Sequence, residues 1–99
     1  MKLKQGTNIN GLKPELLIGI MIVNDYFVSI NKELTITSVT DSKHGRGSLH
    51  YVGLAFDVRT WDFTEEEAQK VVDDLKQKLS IQFDVVLEKD HIHIEFQPK

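Results

Sequence analysis

DHIHIEF, residues 90–96, alternates apolar and polar side chains from His91 to Phe96. Successive side chains of a strand point to opposite faces, so Ile92, Ile94 and Phe96 share one side while His91, His93 and Glu95 share the other. Such alternation predicts a half-buried strand with a core on one face and polar chemistry on the other. Working back, FDVVL (83–87) is a second strand-like run, and the short link EKD (88–90) makes the pair a hairpin.

Upstream of the hairpin, Thr64 to Leu79 reads as a helix. Thr64 and Glu67 have the spacing of a capping box, Phe63 and Ala68 that of a hydrophobic staple. Ala68, Val71, Val72, Leu75 and Leu79 then fall on one face. Residues 54–59 alternate again, with Leu54, Phe56 and Val58 opposite Ala55, Asp57 and Arg59. TDSKHGRGSL (40–49) is loop-like, and Leu34 to Val39 is a strand entered through a turn at Asn31 and Lys32. A first helix starts at Pro14 and runs to about Phe27, with Leu16, Leu17, Ile20, Val23 and Phe27 at helical spacing. Ile18, Met21 and Ile22 widen its stripe, so most of this helix is expected to be covered. Residues 1–11 read as a loose polar arm. The sum is a single small α+β domain with a largely antiparallel sheet and two main helices.

Composition narrows the function classes. Ninety-nine residues, 40% of them apolar, suit one globular core. A formal charge of −3 with scattered Lys and Arg speaks against nucleic acid and membrane surfaces as partners. With no cysteine, a metal would have to be held by His, Asp and Glu. LLIGIMIV (16–23) is shorter than the ~20 residues of a membrane span. MKLKQGTNING carries no apolar stretch of a secretory leader, which leads us to expect a chain kept in the cytoplasm until release.

SLHYVGLAFD (48–57) supplies the second half of the chemistry. His50 stands at the entrance of a strand and Asp57 lies within it, on the face away from the core. Gly53 permits a tight bend after His50, Ala55 removes bulk beside Asp57, and Ser48 can tie down the loop. A lone loop histidine or a strand with alternating histidines is commonly a solvated surface. Here three of the four histidines fall in two short segments of matching parity. If the two strands are neighbours, His50, Asp57 and one of His91 and His93 give the three ligands of a hydrolytic zinc ion, which keeps a fourth position for water.

Ser48, His50, Gly53, Ala55 and Asp57 match SxHxxGxAxD at every fixed position, and DHIHIEF matches both HxH and DxxH. In these two motifs the chain resembles the D-Ala-D-Ala metallopeptidases and their relatives among phage endolysins and murein endopeptidases, over residues 12–96. The resemblance implies Zn²⁺ held by His50, Asp57 and His93, His93 being preferred to His91 because an apolar residue and an acid follow it. It implies a base at Asp90, by the DxxH form, or assistance from His91, by the HxH form. Were His91 the ligand, Glu88 would be the base, and we place His91 and Asp90 ahead of it. Glu95 is read as an anchor for a ligand histidine. One departure stands out: the family's arginine in an SGYR-like segment has no counterpart in Thr37–Thr40, and Lys43, Arg46 and Arg59 are the nearby cations.

Three functions follow as expectations. The first is a monomeric zinc peptidase cutting stem peptides of peptidoglycan, near D-alanine or between L-Ala and D-Glu. The second is a non-catalytic zinc-binding recognition module on the same hedgehog/D-Ala-D-Ala-peptidase-like fold. A plain globular domain that binds no metal is the third.

Overall fold

The computed structural model describes residues 1–7, 13–40 and 55–97. Its elements run β1 (Lys2–Leu3), α1 (Pro14–Ser29), β2 (Thr35–Thr40), β3 (Ala55–Arg59), α2 (Glu65–Lys78), β4 (Phe83–Leu87) and β5 (His91–Phe96). The five strands form one mixed sheet in the order β1-β2-β3-β5-β4, parallel between β1 and β2 and antiparallel elsewhere. This is the α+β, largely antiparallel arrangement expected. One expectation fails: Lys2–Leu3 are not part of a loose arm but pair with Thr35 and Ile36, because the amides of Lys2 and Lys4 find the carbonyls of Leu34 and Ile36. Residues 8–11 of that arm lie outside the described residues.

Topology decides what meets what. β3 and β4 are parallel to each other because each runs antiparallel to β5, and α2 makes the crossover between them. The hairpin then folds β5 back into the gap, a split β-α-β unit. This insertion makes β5 the direct neighbour of β3: Arg59 and His91 are register partners although 31 residues lie between them in sequence. Phe56, Val58, Ile92 and Ile94 are fully buried beneath α1 and α2. Burying each such side chain contributes roughly 1.5–3 kcal/mol.

Local chemistry sets the helix ends. Pro14 occupies the first turn of α1, where its missing N–H costs nothing. At the other end Asn31 adopts φ 62°, and the amides of Asn31 and Lys32 reach back to the carbonyls of Val28 and Phe27. That is a Schellman closure with asparagine in the left-handed position. In α2 the Thr64 hydroxyl accepts from the Glu67 amide at 3.1 Å and the Glu67 carboxylate accepts from the Thr64 amide at 2.8 Å, the capping box read from the sequence. All five apolar positions assigned to the α2 face are buried.

The expectation that most of α1 is covered does not hold. Leu16, Ile20, Val23 and Phe27 are buried, whereas Leu17, Ile18 and Met21 remain 48–62% exposed. Both helices lie in one layer, and α1 gives that layer only a single face, so apolar positions beyond the stripe have nothing over them among the described residues. Gly19 marks the closest approach on the buried face. A Cβ there would lie 2.7 Å from the Phe83 ring, which is itself packed edge-on against Phe96. None of the described helices is long and apolar enough to cross a membrane.

Candidate functional site

The face of the sheet opposite the helices collects the polar half of each strand. In the β3–β5 ladder Asp57 stands across from His93, Arg59 from His91 and Ala55 from Glu95. Parity therefore puts Asp57, Arg59, His91, His93 and Glu95 on one surface, as the alternation of the two segments predicts. His93 donates from Nδ1 to Asp57 Oδ1 at 2.8 Å and from Nε2 to Glu95 Oε1 at 3.1 Å. Glu95 thus holds His93, the histidine that the resemblance prefers as ligand.

Ser38 joins from β2. Its hydroxyl donates to Asp57 Oδ2 at 2.8 Å, so the carboxylate is held from both sides. A bulge places it there: Ile36 pairs with Val58 and Ser38 with Asp57, which leaves Thr37 as the extra residue. The bulge lets Ile36 and Val39 both pack toward the core while Ser38 turns to the site. The sequence reading assigned no role to Ser38. The signal was present in the three-residue spacing of Ile36 and Val39, which a regular strand cannot bury on one face.

His91 forms the second cluster. It donates from Nδ1 to Asp90 Oδ1 and from Nε2 to Glu88 Oε1, both at 2.8 Å, and Nε2 is 3.7 Å from Asp57 Oδ1. The candidate bases are therefore sorted by distance. His91 borders Asp57 directly, whereas Asp90 and Glu88 touch His91 rather than Asp57 or His93.

Electrostatics follows from these contacts. The Asp57 hydrogen bond pushes the His93 imidazole up to about 9, against burial and with help from Glu95. Burial works to raise the Asp57 carboxyl, but bonds from His93 and Ser38 and the nearby imidazoles outweigh it and hold it below the usual carboxylate range. His91 is raised as well, since Asp90, Asp57 and Glu88 together overcome the lowering effect of burial. The His91 hydrogen bond lowers Asp90. The site is a network of imidazoles and carboxylates that share protons.

The donors can be tested for fit to zinc. In a tetrahedral site with bonds of ~2.05 Å, two ligand atoms stand ~3.3 Å apart. Nδ1 of His93 and Oδ1 of Asp57, at 2.8 Å, need to part by about half an ångström, within reach of small side-chain rotations. Glu95 would keep the proton on Nε2 and leave Nδ1 as the donor atom, the way an outer carboxylate fixes a ligand histidine. No group of three or more His, Asp or Glu side chains arranged to hold a metal is found among the described residues. His50, the third ligand implied by the motif, lies outside them, as do Ser48 and Gly53. No family model, curated protein or solved structure matches the chain.

Proposed function

We propose that the chain is a zinc metallopeptidase hydrolysing stem peptides of bacterial peptidoglycan, as a D-Ala-D-Ala carboxypeptidase or an endolysin-type endopeptidase, on a hedgehog-like scaffold. The observation that carries this reading is the contact between Asp57 and His93, separated by 36 positions and drawn from the two motifs. His50, Asp57 and His93 would hold the ion. Zinc supplies a Lewis acid and lowers the pKa of a bound water toward ~7.

The protein's own residues divide the remaining work. Ser38 and Glu95 would fix the two proposed ligand side chains from behind, with the Nδ1 proton of His93 leaving when the ion binds. Asp90 holds the Nδ1 proton of His91, so that once Nε2 has given up the proton it shares with Glu88, that nitrogen can accept one from the nucleophile. The same nitrogen can return that proton to the departing amine.

A second reading, a zinc-binding recognition module without catalysis, draws on one observation. In the segment where the resembled family has an arginine, Ser38 serves to position Asp57 instead. The two readings part on experiment. Protein purified without chelator or histidine tag should carry about one zinc per chain, and incubation with peptidoglycan should release new amino groups, lost in His93→Ala. Zinc without release from any cell wall selects the module; a metal content near zero sinks both.

A further inference from the structure

Beside Asp57 lies a hollow of about 290 Å³ whose cationic wall is Lys4 and Arg59. Arg59 closes β3 on the same face as Asp57, opposite His91, and its guanidinium carbon sits 3.8 Å above the ring of Trp61. Trp61 is 72% exposed, so an apolar plate stands open at the rim. The Nε donor of Arg59 is shut away from solvent and has no acceptor among the described residues. Neither Arg59 nor Lys4 is ion-paired with a described carboxylate.

Stacking on the indole holds the guanidinium plane without using its N–H groups, which leaves its donors for a ligand. Asp57 and Asp90 also line the hollow; Ser38 and His93 engage both oxygens of Asp57, and His91 engages Oδ1 of Asp90. An unpaired planar cation beside a second positive side chain suits a planar anion that accepts two parallel hydrogen bonds. A small rotation of the guanidinium would bring Nε into such a pair and satisfy the orphaned donor.

We propose that Arg59, braced by Trp61 and assisted by Lys4, is a specificity-determining subsite for a free carboxylate of the peptide bound beside Asp57 and His93. The inference deepens the peptidase reading by naming what the substrate presents next to the site. It also assigns the cation that Thr37–Thr40 lack, which the sequence left open among Lys43, Arg46 and Arg59.

Trp61 is the single tryptophan of the chain, so its fluorescence reports on this hollow. The test titrates N-acetyl-D-alanyl-D-alanine and its C-terminal amide into the full chain, in chelator and again with zinc. In both conditions the acid should bind at least about tenfold more tightly than the amide. Arg59→Gln should abolish that preference and Arg59→Lys should keep part of it, with circular dichroism confirming the fold. Equal binding of acid and amide, no saturable response to either, a preference seen only with zinc, or one that survives Arg59→Gln would overturn the assignment. Should Arg59→Gln fail to fold, Lys4→Gln takes its place: acid affinity should drop a few-fold, and unchanged affinity counts against the subsite. A chain that holds no zinc yet keeps the acid preference would refute the peptidase reading and leave the subsite standing.

Discussion

Raising the pH of the metal-free chain should weaken its fold through one imidazole. His93 is pushed up to about 9 in the folded protein, against an ordinary value of 6.5. A raised folded-state value means that the proton is bound more tightly when folded. The resulting stability is fully present below pH ~6.5 and is lost as pH climbs through about 9. The whole gap would correspond to ~3.4 kcal/mol. His93, Asp57 and Glu95 all keep contact with solvent, with side chains 17–24% exposed, so screening reduces this to ~1–2 kcal/mol. For a chain of this length that is roughly 5–10 °C in Tm. Urea unfolding in chelator, at half-unit steps from pH 6 to 10, measures the loss directly. His93→Gln serves as the control, since lysines and tyrosines titrate in both proteins. The variant should lack the decline between pH 7 and 9.5 that the parent shows. Parallel curves would refute the linkage, as would an NMR titration of the His93 ring with its midpoint near 6.5.

Four further outcomes are expected. Asp57→Asn should drop the His93 midpoint toward 6.5 by NMR, because the variant removes the charge beside it, and under the proposed zinc reading it should weaken metal binding at least about tenfold. Gly19→Ala should destabilise the chain by about 1 kcal/mol in urea: helix propensity favours alanine by ~1, but displacing the Phe83 ring costs more. Thr64→Ala should cost about 1 kcal/mol, read as a lower Tm, through loss of the capping box at α2. Asn31→Ala should cost a similar ~1 kcal/mol and Asn31→Gly little or nothing, since only the first forces a poorly suited side chain to φ 62°.

What the sequence made legible was periodicity. The β5 alternation placed Ile92, Ile94 and Phe96 inside and His91, His93 and Glu95 outside, and the strand bounds 83–87 and 91–96 coincide with those observed. Thr64 and Glu67 announced the start of α2 because their bonds join residues three apart. Features that depend on partners elsewhere in the chain were harder to read. Lys2–Leu3 carry no strand pattern of their own and become a strand only because β2 offers an edge. Leu17, Ile18 and Met21 look like core from spacing, yet burial depends on whether a second layer exists above them. Asp57 and His93 were paired by resemblance and parity, while the stacking of Arg59 on Trp61 had no signal in the sequence, and Lys43 and Arg46 lie outside the described residues. His50 could be read only from its motif, and it lies outside the described residues.

β3 and β5 carry the hydrophobic interior and the imidazole–carboxylate surface back to back on the same few peptides. Sliding β5 by a single position would turn Ile92, Ile94 and Phe96 into water and the imidazoles into the oil, at a penalty of about 5–9 kcal/mol. That is comparable with the entire stability of a typical domain. A mispaired molecule would therefore lose the Asp57–His93 contact together with its core, and under the proposed zinc reading the fraction of a preparation that takes up metal would be a direct census of correctly threaded chains.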